Sequence, residues 1–257
     1  QCNFLNPYHL GFNSIVAFRN RYCHFETIWI GNRQINVPVG FTNLAEIEMK
    51  LKKFAYRKTK KECLDLPEKI YVKRNIEFTD EQARIYNDIR TEARATLRGE
   101  ELTVTNVITE ILRLHQVACG FFKTKEDEIE PVANKRVDTL LEICEDTDAK
   151  IIIWATYIYN IQQITKELRA RFGVDSTVDF YGAVSSEKRT DAIERFQNDP
   201  KCRFFVANPA TGGLGITLTA ASIVVYYSNS YNAEHRVQSE DRSHRIGQEK
   251  KVTYIDF

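Results

Sequence analysis

From Asn134 onward, short stretches that are apolar on both faces alternate with stretches whose apolar residues recur at helical spacing. The extended stretches are 151–155 (IIIWA), 177–181 (TVDFY), 203–207 (RFFVA), 223–227 (IVVYY) and the closing VTYIDF. Helical patterns run over 135–144, 158–172, 186–196 and 234–245, with a short helix after a glycine-rich turn. A strand with two apolar faces needs cover on both. The pattern therefore predicts an α/β fold, a parallel sheet flanked by helices. Ligands of such sheets sit beyond the carboxyl ends of the strands, so chemistry is sought in the segments that follow them.

The preceding sequence is organised differently. Up to about residue 69 it is aromatic-rich and aperiodic, apart from a helical stretch at 44–54. A dense basic segment holds Lys50, Lys52, Lys53, Arg57, Lys58, Lys60 and Lys61. Those residues fit three roles equally: bracing the fold, contacting nucleic acid, or solvating a helix. Residues 70–78 (IYVKRNIEF) read as a strand. Thr79-Asp80-Glu81-Gln82 reads as a capping box, with Thr79 as N-cap and Gln82 reaching back. Ala83, Tyr86, Ile89, Ala93 and Leu97 continue that helix to Arg98-Gly99, and a second helix is expected over 103–119. Residues 123–130 (KTKEDEIE) read as a charged loop. The expected organisation is a mainly helical region with a basic segment over 1–133, then a sheet lobe over 134–257.

Composition removes whole classes. Hydrophobic residues make up 43% of the 257 and charged residues 28%, which excludes a disordered chain. No apolar run approaches the roughly 18 residues of a membrane span. The net charge of +1 requires any nucleic-acid contact to come from local placement of charge. The six cysteines include no CxxC pair, so reduced core thiols in a cytosolic or nuclear setting are expected. Cys23-His24 near His9 lacks a second ligand pair, and no metal site is expected. The chain starts at Gln1 and carries its single Met at position 49. It is expected to be part of a longer polypeptide.

Three segments carry chemical content. In 238–248 (QSEDRSHRIGQ), a helix would place Gln238, Arg242 and Arg245 on one stripe. Two guanidiniums aimed together, with an amide beside them, suit a polyphosphate and charge developing on a transferring phosphoryl group. The same segment also fits a surface helix with an Asp241–Arg245 ion pair. In 211–222 (TGGLGITLTAAS), Gly212, Gly213 and Gly215 let backbone approach a phosphate or ribose hydroxyl, or simply form a tight strand–helix turn. In 181–185 (YGAVS), a small polar helix start could receive a nucleic-acid phosphate, or Ser185 could serve only as an N-cap. No GxxxxGK[ST] occurs, so the chain has no phosphate-binding P-loop of its own. Asp80-Glu81 is explained by the capping box rather than by magnesium binding.

The order of these segments resembles the second, RecA-like motor lobe of superfamily-two helicases, and within them the Swi/Snf-type ATPases. QSEDRSHRIGQ fits the family's Q-x-x-D-R-x-x-R-x-G-Q motif at every fixed position. TGGLGITLTAAS is similar to the motif before it, and DFYGAVSSEKRTDAIERF to the Gly-Ser-containing segment further upstream. AKIIIWATYIYNI lies where motif IV belongs; FAYRKTKKECLDLPEK, NSIVAFRNRYC and LRLHQVACG resemble the family's preceding signatures. The resemblance implies a RecA-like parallel sheet with an N-terminal, mainly helical Swi/Snf-specific extension. It further implies that Arg242 and Arg245 are arginine fingers, that Gln238 supports the ATP site, and that Gly213 and Gly215 lie at the nucleotide edge. Gly182, Ser185 and Thr217 would contact the phosphates of one DNA strand, and Thr156, in place of the family's usual Gln, would join them. Tyr231 stands where the family has Trp. ATP with Mg2+ would be held mainly by an amino-terminal RecA-like lobe of the same polypeptide, with DNA as the other partner. Such a protein works inside the cell, in cytoplasm, nucleoid or nucleus. The rival readings are a non-catalytic nucleic-acid or partner-binding module derived from such a lobe, and an unrelated nucleotide-sugar enzyme, for which no catalytic carboxylate or His stands out. The chain alone is expected to hydrolyse ATP negligibly; turnover by the purified chain at ordinary helicase rates would contradict the P-loop argument.

Overall fold

The structure, a computed structural model, describes residues 10–30, 33–56, 58–99, 104–124, 127–212 and 215–257. Its contacts divide the chain into two compact units, Gln1–Leu64 and Asp65–Phe257.

The first unit opens with α1 (Ile15–Tyr22), where the Ser14 hydroxyl accepts the Ala17 N–H at 3.1 Å as a cap. β1 (Cys23–Ile30) and β2 (Arg33–Phe41) form an antiparallel hairpin with a bulge at His24/Phe25. The aperiodic sequence gave no sign of this hairpin, because the bulge and Pro38 break the alternation that marks a strand pair. α2 (Leu44–Leu51) and α3 (Lys60–Cys63) follow. Three residues of the basic segment pair locally: Lys50 with Glu46 at 3.0 Å, Lys52 with Glu48 at 2.9 Å and Lys58 with Glu62 at 4.0 Å. Hydrogen bonds from Arg21 and then Lys50 pull the Glu46 carboxyl down to about 2.

The second unit runs β3 (Lys69–Lys73), α4 (Asp80–Gly99), α5 (Val104–Ala118), β4 (Phe121–Lys123), β5 (Ile129–Pro131) and α6 (Arg136–Glu145). It continues with β6 (Ile151–Trp154), α7 (Ile158–Phe172), β7 (Thr177–Phe180), α8 (Ser186–Asn198), β8 (Phe204–Ala207), α9 (Pro209–Gly212), β9 (Ile223–Tyr226), α10 (Ala233–Ser243) and β10 (Val252–Asp256). Six strands form one sheet in the order β3-β10-β9-β6-β8-β7, and every pairing in it is parallel. β3 adds an edge strand from before residue 134, so this compact unit begins at Asp65. β3 is shorter than the 70–78 expected, because the Arg74 N–H donates to the Asp256 carbonyl where the partner strand ends. The 123–130 segment contributes to a small antiparallel pair, β4 with β5.

Half of the expected capping box forms. The Gln82 N–H donates to the Thr79 hydroxyl at 3.1 Å, but the buried Gln82 amide turns away to the Val117 and Ala118 carbonyls. It thereby closes the carboxyl end of α5 instead of its own helix start, a stronger use of a buried amide.

Alternate residues of each strand face opposite sides. Ile152, Trp154, Val178, Phe180, Phe205, Val224, Tyr226 and Tyr254 pack with Ala192 and Phe196 of α8. Ile151, Ile153, Phe204, Val206 and Val225 pack with Leu140 and Cys144 of α6 and with Ile161, Ile164 and Leu168 of α7. Both faces are therefore dry. Among the described residues no helix is long and apolar enough to cross a membrane. Phe205 is fully buried, with its ring 5.5 Å from Phe180 and 5.3 Å from Phe196. Phe205→Ala should lower unfolding free energy by about 3–5 kcal/mol in urea titrations, while Val174→Ala on the surface should change it by no more than about 0.5 kcal/mol.

Candidate functional site

A parallel strand is followed by a return crossing, so each connecting helix ends near the amino edge of the sheet. α10 leaves β9 at the carboxyl edge and runs back toward the start of β10. It ends at Ser243, two residues short of the expected 245. Gln238 and Arg242 are one turn apart on it, whereas Arg245 lies past its end. The expected three-residue helical stripe is thus only two residues long on the helix.

Arg245 joins the group by another route. Its Nη1 donates to the Ile216 carbonyl at 3.3 Å, and the Leu218 N–H donates to the Arg242 carbonyl at 2.9 Å. The two arginines are thereby brought against residues 216–218. The Arg242 guanidinium is pulled below its ordinary range by burial and then by the Arg245 charge, with Asp241 opposing. Two like charges held this close favour an anion between or beside them. Gln238 sits on the outer side, where its Nε2 donates to Glu234 at 2.7 Å.

The segment they face is held by amides. Gln248 is buried and its Nε2 lies 3.1, 2.9 and 3.1 Å from the carbonyls of Thr219, Ala221 and Ser243. Gln197, at the end of α8, receives the Ala220 N–H at 3.0 Å and donates to Thr219 Oγ1 at 3.3 Å. Gly215 has φ +72 with open space where a side chain would be, so its left-handed backbone, not crowding, calls for glycine. Thr217 is half-buried between the buried Ile216 and Leu218. Gly213 lies outside the described residues.

The other predicted residues lie at the opposite, carboxyl edge. The Ser185 hydroxyl caps α8, accepting the Lys188 N–H at 3.4 Å. Gly182 is exposed, with open space around it. Thr156, just past β6, is tied to its neighbours: its N–H donates to Ser228 Oγ at 2.9 Å, its hydroxyl to the Ser228 carbonyl at 3.3 Å, and its carbonyl accepts Asn208 Nδ2 at 2.7 Å. Its side chain therefore joins the ends of β6 and β9. Tyr231 is exposed at the same edge, its ring 5.4 Å from that of His115, which in turn meets Tyr157. The chemistry is thus split between two edges, where the strand rule alone pointed to one.

Sequence reasoning missed the groups that fix α10. Glu240, only 8% exposed, accepts Lys69 Nζ and the Tyr71 hydroxyl at 2.8 Å each on one oxygen, and Arg236 Nε at 2.8 Å on the other. Arg236 lies 3.6 Å over the Tyr226 ring and grips both oxygens of Asp256. Only the helical spacing of Arg236 and Glu240 could have hinted at this; their partners are distant in sequence. Burial alone would raise both carboxyls, but Lys69, Arg236 and Tyr71 hold Glu240 below its ordinary 4.5, and Arg236 and Asn229 hold Asp256 below 3.8.

Residues 134–247 match the helicase conserved C-terminal domain. The chain is 27% identical over 248 residues to mouse (Mus musculus) "DNA annealing helicase and endonuclease ZRANB3", which covers 92% of this chain and 21% of that protein. It thus spans about a fifth of that relative's length. Among solved structures, the C-terminal part of the Fun30 ATPase domain aligns at TM-score 0.60 and 16% identity, over 75% of this chain and 85% of the other. The Sulfolobus solfataricus SWI2/SNF2 ATPase core in complex with dsDNA aligns at TM-score 0.59 and 24% identity, over 82% and 46% respectively.

Folding lowers the Glu240 and Asp256 pKa values, so their contribution to stability is complete above the ordinary values and is lost as pH falls through the lowered ones. Urea midpoints should hold steady from neutrality to about pH 4.5 and then drop. The drop should be shallower in Asp256→Asn, which is already weakened at neutral pH; parallel acid limbs would remove this network from the acid response.

Proposed function

We propose that this chain is the carboxyl-terminal lobe of a Swi/Snf-type superfamily-two helicase, and that it completes a DNA-dependent ATPase by supplying arginine fingers and DNA-backbone contacts. The observation that carries the reading is the Arg242–Arg245 pair, brought together against residues 216–218, with the Arg245 charge lowering the Arg242 pKa. A pair of guanidiniums in that condition fits a triphosphate end, and the sequence provides no P-loop to hold the rest of it. ATP with Mg2+, held on a separate P-loop lobe, would supply the γ-phosphoryl group.

In this reading Arg242 and Arg245 neutralise charge on the equatorial oxygens as the γ-phosphoryl group passes to water. Gln238 borders the same surface. Gly215 leaves its backbone bare for nucleotide to approach, the role that the resemblance also gives Gly213. Gly182, Ser185 and Thr217 meet phosphates of one DNA strand, with Thr156 beside them. Ser185 already spends its hydroxyl on the α8 cap, so its contribution to DNA is the oriented helix start as a whole. Thr156 would act mainly by fixing the β6 and β9 ends. Contacts to phosphate rather than to bases make binding largely independent of sequence and weaker in salt. Work on DNA places the protein in the cytoplasm, nucleoid or nucleus.

The test uses the ATPase in which this lobe is joined to its P-loop lobe. Arg245→Ala should lower kcat by about 10³-fold or more while nucleotide binding is retained. DNA-stimulated hydrolysis at the unmutated rate would reject the finger role and leave the non-catalytic binding module as the better account.

A further inference from the structure

We propose that the chain Lys69–Glu240–Arg236–Asp256 is a positioning device for the finger arginines, built by an edge strand that lies outside the matched helicase domain. The inference rests on the finger reading of Arg242 and Arg245.

Glu240 stands two residues before Arg242, in the last turns of α10. Its side chain faces the sheet and receives three donors: Lys69 and Tyr71 from β3 and Arg236 from the preceding turn. Its backbone carbonyl receives three more, from the His244 N–H at 3.1 Å, the Ser243 hydroxyl at 3.3 Å and the Tyr254 hydroxyl at 3.2 Å. One residue thus gathers the end of the finger helix, the edge strand and β10 onto a single point. Arg236 extends the chain to Asp256 at the carboxyl end of β10 and to Asn229 just past β9, with its guanidinium over the Tyr226 ring.

Buried charges are a costly way to hold a helix down. Apolar residues of the same volume serve stability equally well or better. Charges bring direction instead, since a carboxylate with three donors has one arrangement that satisfies all of them. Arg242 and Arg245 need such direction, because an error of about 1 Å in a reacting geometry costs on the order of 10²-fold in rate. Lys69 and Tyr71 lie well before residue 134, where the domain match begins. The segment before the lobe is therefore part of its catalytic geometry and not a tether. Glu240 and Lys69 touch no substrate in this scheme and act only through the arginines.

The experiment takes the assembled ATPase and compares Glu240→Gln, Lys69→Met, Lys69→Arg, the Lys69→Met/Glu240→Gln pair and Arg245→Ala. Glu240→Gln and Lys69→Met should each lower kcat by about 10- to 10²-fold, with the KM for ATP and the affinity for DNA unchanged. Lys69→Arg should recover most of the rate, and the double variant should be no slower than the worse single one, as expected for members of one network. Affinity for ADP with an aluminium fluoride mimic of the transferring phosphoryl group should fall, while affinity for ADP alone should hold. Unmutated kcat in Glu240→Gln, with Arg245→Ala inactive, would overturn the positioning role and leave the fingers standing. An active Arg245→Ala would instead overturn the finger reading. If Glu240→Gln fails to fold, Lys69→Met decides: a loss of kcat alone, rescued by Lys69→Arg, supports the device, and unmutated kcat or a rise in KM rejects it.

Discussion

Six parallel strands can be joined only by crossing back over a face of the sheet, and the rest of the second unit follows from that requirement. The crossings need helices on both faces, which is why β6, β8 and β9 are apolar on both sides. They also give the unit two unlike edges. Turns that follow strands, including Thr156 and Gly182, collect at the carboxyl edge. Helix ends, including Arg242 and Gln197, collect near the amino edge. A residue's edge is therefore set by whether it comes early or late in a connection.

Each edge is consolidated by polar groups that reach across the sequence. Near the amino edge, Gln248 and Gln197 satisfy carbonyls and an amide of residues 219–221, a stretch with no regular backbone pairing of its own. An unsatisfied polar group in such a buried stretch would cost about 1–3 kcal/mol, so these amides are required for that segment to lie where it does. Near the carboxyl edge, Asn208 links the ends of three strands: its N–H donates to the carbonyl of Phe180, the last residue of β7, its Nδ2 to that of Thr156 after β6, and it follows β8 itself. The sheet and these clamps turn the two edges into one body.

Much of this was legible because it is periodic. The two-sided strands announced a parallel sheet, and all five strands expected after residue 134 are in it. The arginine segment was legible because its residue types and spacing are unusual. What escaped was set by long-range pairing. The amide of Gln82 turns to α5, some 35 residues away, instead of to its own N-cap. Arg245 was expected on a helix but is held by Ile216, whose carbonyl no local pattern announces. The hairpin at Cys23–Phe41 carries a bulge that erases its alternation. Lys69 and Glu240 lie 171 residues apart in the sequence, and no spacing rule relates them.

The split between edges bears on how a lobe of this kind would transmit work. On the proposed reading, phosphates of ATP are met at one edge, while of the DNA contacts Gly182, Ser185 and Thr156 lie at the other and Thr217 lies beside the arginines. Strands this short, 4 residues in β6, β7, β8 and β9, span only about 13 Å at ~3.3 Å per residue. A close-packed sheet with both faces buried does not bend over that distance, so it cannot absorb a displacement imposed at one end. A pull on the arginines must then move the start of α8 by a comparable amount. The coupling needs no relay of side chains through the core. It needs only that α10 and residues 216–221 be fixed to the sheet, and those are the two places where the buried polar bonds are concentrated.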